Sequence, residues 1–282
     1  MTNSESSPQH QPIIIEASRG WVKLNLREVI EFRDLLYVLA VRDIKLRYRQ
    51  TALGPVWVIL QPLLAAGVFT FVFGGIAKLS APGHMNYYLF AYSGQLGWNL
   101  FSGTLTKIGS SLVGNAHLVS KVYFPRIILP LYTLGSVLFD FAAASVIMIA
   151  MMIGFHHWGS VATLSLPLWI ALLLLLAMGI GLCVTALNVF YRDVSTIVGV
   201  FMSFLVYISP VGYAREHVPA KLQIAYTINP VSGLLEGFRW AILGTGAPSV
   251  NHVLYSTIFT IATVIAGLYS FKRMEKKFAD VM

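Results

Sequence analysis

Few residues of this chain could do chemistry, and the first is an acid in apolar surroundings. Asp140 is the one Asp, Glu, Lys or Arg between Arg126 and Arg192, and an acid at mid-span depth costs about 2.5–3.5 kcal/mol on insertion scales. Two readings compete. Asp140 is a proton relay or polar channel site, or it hydrogen-bonds inside a helix bundle, to Ser136, Ser145 or another span. A lone acid with no intramembrane Arg, Lys or second acid favours the bundle. His156 and His157 are adjacent, a poor spacing for sharing a metal, and predict a solvated loop. No G-x-x-x-x-G-K-[ST] phosphate loop and no H-E-x-x-H zinc motif occurs. Ser93-Gly94-Gln95 echoes part of an ATP-cassette signature but lies in an apolar stretch, where the match is accidental. No Ser or Cys has a base nearby in a recognisable nucleophile context, and the single Cys183 forbids an intrachain disulfide. The expectation is a chain without catalysis, cofactor or metal of its own.

Aromatic rings are the second unusual feature. Tyr87 and Tyr88 fit an interfacial belt at the end of a span, but Tyr92, Trp98 and Phe101 fall deeper. Aromatic faces suit pyranose rings, whose C–H faces stack on them, so these three rings and Asp140 are candidates to line a channel. Packing or a belt is the competing reading. Trp98 and Phe101, three apart, share a helix face, whereas Tyr92 lies about 120° from Trp98.

The elements that must carry these residues follow from composition. Of 282 residues 56% are apolar and 11% charged, against about 25% charged in soluble domains, and the mean hydropathy is +0.70. An ordinary cytosolic enzyme, a disordered chain and a secreted disulfide scaffold are excluded. The net charge of +8 need not mean nucleic acid, because membrane proteins gather Lys and Arg on the cytoplasmic side. Charge-free stretches of 28, 28, 21 and 32 residues follow Arg49, Lys78, Asp193 and Arg239. With the stretch around Asp140 divided at the polar segment Gly154–Ser165, they predict six spans near 53–77, 87–110, 128–153, 167–190, 195–213 and 249–271. An even number puts both termini on one side. Sixteen Lys and Arg flank the spans on that side and four on the other, so both termini are expected to be cytoplasmic. The polar MTNSESSPQHQ start predicts no cleaved signal peptide.

Two segments read as helices that do not span. Over 27–50, Arg27, Glu28, Glu31, Asp34, Arg42, Lys45 and Arg49 share a stripe roughly 120° wide, opposite Val29, Phe32, Leu36 and Leu39. This is an amphipathic cytoplasmic interface helix, either a membrane anchor or a docking surface for a soluble partner. Asp43 and Arg47, four apart, are expected to pair. Residues 214–246 are cut by Pro219, Pro230 and Gly244-Thr245-Gly246 into two short helices expected to lie flat at the outer interface. Asn229-Pro230 reads as the cap and first position of the second.

Three blocks carry a family resemblance. Arg42-Asp43-Ile44-Lys45-Leu46-Arg47-Tyr48-Arg49-Gln50-Thr51 with Leu53-Gly54-Pro55 and Trp57 through Gln61-Pro62 resembles the start of ABC-2 type permeases, specifically the polysaccharide-exporting branch of O-antigen, capsule and teichoic-acid exporters. Asn115 through Arg126 and Leu187 through Val194 are similar to that family's connections after spans two and four. The resemblance implies an all-α, polytopic protein of the inner membrane: a cytoplasmic segment 1–50, a six-span domain 51–271 and a short basic tail 272–282. It implies a homodimer over two copies of a separate nucleotide-binding subunit, where ATP and Mg act, and a channel for a lipid-linked glycan whose pyrophosphate head enters from the cytoplasm. Coupling to the ATPase would fall on Arg42, Asp43, Arg47, His117, Lys121, Tyr123, Phe124, Arg126, Arg192 and Asp193. A permease for a drug or small lipid is the alternative.

Overall fold

The computed structural model describes residues 26–49, 56–191, 193–275 and 278. Of Leu26–Glu28, Arg47, Tyr48, His84 and Ser120 it describes the backbone alone. Among the described residues every regular element is helical. Helices α1 (Leu26–Glu31) and α2 (Arg33–Tyr48) precede α3 (Val56–Phe69), which continues as π-helical turns through Thr70–Ile76. Then come α4 (Tyr87–Ser110), α5 (Ala116–Lys121), α6 (Ile128–Gly154), α7 (Leu166–Phe190) and α8 (Val194–Ile208). The chain closes with α9 (Gln223–Ile228), α10 (Pro230–Leu243) and α11 (Val250–Glu275).

Among the described residues four segments are long and apolar enough to cross a membrane: Val56–Ile76, Ile128–Gly154, Val161–Phe190 and Val250–Glu275. The other two expected spans differ from these for separate reasons. Helix α4 has 24 residues, ample length, but carries Ser93, Gln95, Asn99, Ser102 and Thr104. It can do so because it is the centre of the bundle, packed by α3, α6, α7 and α10, where hydrogen bonds replace lipid contact. Helix α8 stops at 15 residues, about 22 Å at 1.5 Å per residue, and the chain turns at Ser209-Pro210. The fifth expected span, 195–213, therefore ends early.

Two apolar clusters hold the bundle. The larger lies between α4, α6, α7 and α10, around Phe90, Leu96, Phe101, Leu173, Leu235 and Phe238. The smaller joins Leu39 and Ala40 of α2 to Ile108, Leu112, Val119, Phe124, Phe271 and Phe278 at one end. Val29, Phe32 and Leu36 pack there as their spacing predicts. Helices α7 and α11 touch through glycine: a Cβ on Gly267 would lie 2.2 Å from the Gly179 carbonyl oxygen, so only hydrogen fits.

Of the two helices expected to lie flat over 214–246, α9 is exposed save for Tyr226, whereas α10 is enclosed by the protein. Every residue of α10 except Pro230 and Trp240 is buried, against α4, α7 and α11. The cap is as read: Asn229 Oδ1 accepts the Val231 N–H at 3.1 Å, with Pro230 at the first position. Gly244 closes the helix at φ 71°, which glycine adopts without strain. His157 is not simply solvated, for its Nε2 meets the Leu243 carbonyl oxygen at 2.9 Å.

Candidate functional site: a polar cavity and the platform at its end

Helices α3, α4, α6 and α8 surround a cavity of about 520 Å³. Its wall on α4 follows the helical repeat: Gln95, Asn99, Ser102, Thr106 and Lys107 all line it, and Gln95 Nε2 donates to Asn99 Oδ1 at 2.8 Å. Pro62 in α3 cannot donate to the Val58 carbonyl, and both residues border the same space. Rings of Phe69, Trp98, Phe141 and Tyr207 complete the lining. Amide and hydroxyl groups that exchange hydrogen bonds cheaply thus stand beside rings that offer stacking faces.

The structure divides the expected lining residues. Trp98 borders the cavity and tilts against Phe101 at 5.8 Å between centroids. Phe101 and Tyr92 are fully buried, the latter donating through Oη to the Ala144 carbonyl at 2.9 Å. Asp140 lines the cavity, and it is not a lone acid. Its Oδ2 lies 3.7 Å from Lys107 Nζ, which also donates to Ser136 Oγ at 2.7 Å and lies 3.9 Å from Asp43 Oδ2. Lys107 is one of the sixteen Lys and Arg counted on the cytoplasmic side; the last turn of α4 points it back between α6 and α2. Ser145 donates to the Phe141 carbonyl at 2.7 Å.

At the same end, Arg42 Nη2 donates to Asn115 Oδ1 at 2.8 Å, and Asn115 Nδ2 donates to Tyr132 Oη at 2.8 Å. Asp43 faces Lys107; its expected pairing with Arg47 lies outside the described residues, as do the Arg47 side chain and residue Arg192. His117, Lys121 and Tyr123 are exposed, Tyr123 at 83%. Phe124 turns inward and is 7% exposed. Arg126 donates to the Glu275 carbonyl and its guanidinium carbon stands 6.0 Å from the Phe278 ring centre. Asp193 is exposed.

Residues that the sequence reading passed over form a second polar centre. Arg239 donates to the carbonyl oxygens of Pro210, of Val211 at 2.9 Å and of Tyr213 at 3.3 Å, and lies 4.0 Å over the Phe90 ring. Tyr87 Oη donates to the Gly212 carbonyl. A Cβ on Gly94 would fall 2.1 Å from the Val211 oxygen, so glycine there lets the irregular strand of chain lie against α4. Glu236 accepts a hydrogen bond from Tyr226 Oη and lies 3.6 Å from His252 Nδ1. Burial, then the Glu236 carboxylate, push the Tyr226 hydroxyl well above its ordinary range, which keeps it a donor. Glu236 and Arg239, opposite charges three apart in an otherwise apolar helix, were the available signal. Among the described residues no group of three or more His, Cys, Asp or Glu could hold a metal.

A bundle of apolar helices around a polar cavity defines a polytopic membrane protein. Residues 34–243 match the ABC-2 type transporter family, and the chain belongs to it. It is 28% identical over 252 residues to an O-antigen export system permease protein, RfbA, of Klebsiella pneumoniae, covering 88% of this chain and 95% of that one. A protein of the same name from Myxococcus xanthus is 23% identical, covering 90% and 98%. The polysialic acid transport protein KpsM of Escherichia coli is 22% identical, covering 84% and 92%.

Proposed function

We propose that this chain is the membrane permease of an ATP-driven exporter that carries a lipid-linked polysaccharide, O-antigen-like, across the cytoplasmic membrane. The similarity to permeases named for O-antigen export over 88% of this chain carries the reading. In it, α3, α4, α6, α7, α8 and α11 are the six spans, both termini are cytoplasmic, and residues 1–50 and 272–282 flank the membrane domain. ATP and Mg act on a separate subunit, present in two copies, and this chain holds no nucleotide. Its contact surface is the exposed His117, Lys121 and Tyr123 with α2 and Asp193. A homodimer is supported by α8, which walls the cavity without burying any residue of its own; a second copy would cover that face.

The cavity suits a moving glycan. Sugars that stack on rings and exchange hydrogen bonds with Gln95, Asn99 and Ser102 are held by contacts of about 0.5–1.5 kcal/mol each, on the scale of aromatic pairs, weak enough to slide. Depletion of the protein tests the reading. Mass analysis should find a lipid-linked glycan accumulating inside the cell while surface glycan disappears. A normal surface glycan with no accumulating glycolipid overturns it.

A further inference from the structure

Asp43, Lys107 and Asp140 belong to three different elements: α2, the end of α4 and the middle of α6. We infer that they are positioning residues for export, an ionic link through which a displacement of α2 resets the polar end of the cavity. The inference rests on the reading above that α2 lies against a partner ATPase.

The geometry suits a link that shifts rather than a fixed brace. Lys107 Nζ stands 3.7 Å from Asp140 and 3.9 Å from Asp43, beyond ordinary hydrogen-bond length for charged partners. It also donates to the neutral Ser136 Oγ at 2.7 Å. The three side chains are 24%, 22% and 35% exposed, so water remains to lower the barrier to exchange. One cation shared by two acids keeps a partner when either acid withdraws, which avoids the heavy cost of stranding a buried charge. A lysine, a point charge on a flexible stem, can follow such a change where a forked arginine could not.

Placement makes the link directional. Asp43 adjoins Arg42, whose guanidinium holds Asn115 at the head of the exposed connection, so neighbouring residues of α2 grip the docking platform and the cavity. Asp140 and Lys107 both line that cavity. A shift of α2 that draws Asp43 away transfers Lys107 toward Asp140 and changes the charge presented at the cavity's end.

The test compares Asp43→Asn, Asp140→Asn and the double variant in the full permease–ATPase complex, with Asp43→Glu as the conservative control. Membrane protein level, ATP hydrolysis and glycan export are measured together. Asp43→Asn, at a partly exposed position, should keep the protein level while export falls further than hydrolysis does, raising ATP used per glycan by at least about fivefold, the low end of coupling between sites. Asp43→Glu should restore the ratio, and the double variant should be little worse than either single, as for groups acting as one unit. An unchanged ratio in Asp43→Asn, whether export stays normal or falls in step with hydrolysis, overturns the inference. A wild-type complex that exports no glycan instead overturns the functional reading beneath it.

Discussion

Tyr123 and Phe124 are neighbours with opposite surroundings, and that contrast separates docking from folding. Tyr123 is 83% exposed and Phe124 is 7% exposed among Val119, Leu112 and Phe271. Placing a carboxylate at Phe124 costs the lost packing, about 3–5 kcal/mol for Phe truncation, and adds the burial of a charge. Phe124→Asp should therefore lose folded protein from the membrane fraction, and its export defect would say nothing of contact with a partner. Tyr123→Asp should leave the protein level unchanged and lower export, with immunoblot and surface-glycan staining as the measurements. The family resemblance put both aromatics in the coupling set. Which of them turns inward depends on Phe271 and Phe278, from a distant part of the chain, closing over the same cluster.

At the scale of elements, the long helices were legible and the interrupted ones were not. Charge-free stretches located α3, α6, α7 and α11 because lipid-facing helices must be apolar around their whole circumference, a constraint written in composition. Helix α10 escaped it because its polar groups are answered inside the protein. Glu236 and Arg239 lie in a segment expected at an interface, whereas the structure gives them Tyr226, His252 and three backbone carbonyls. Periodicity cannot distinguish a charge facing water from one facing a partner. Asp140 looked like a lone acid for the same reason: its cation lies 33 residues away, on α4. The Arg239 contacts give a test. Arg239→Gln leaves carbonyl oxygens of the 210–213 segment without their donor, at about 1–3 kcal/mol for each buried group. The purified protein should unfold at least about 4 °C lower in a thermal scan, while Lys221→Gln, on an exposed side chain, should not move the midpoint.

For the molecule as a whole, the arrangement of Lys and Arg sets which end faces which compartment, and labelling decides it. In a Cys183→Ala background, a single cysteine at Lys221 should react with an impermeant maleimide from outside intact spheroplasts, and one at Lys121 only after lysis. Reaction at 121 alone from outside would reverse the orientation. The carbonyls of Pro210, Val211 and Tyr213 also bear on how the chain enters the bilayer. Hydrocarbon offers them no donor, and the guanidinium that serves them is translated nearly thirty residues later. Until Arg239 emerges, these carbonyls lack the donor that the folded protein gives them. Under the proposed topology biogenesis is thereby ordered: α8, the turn and α10 should leave the translocon as one cargo, and a nascent chain arrested between them should be open to proteases on the outer face.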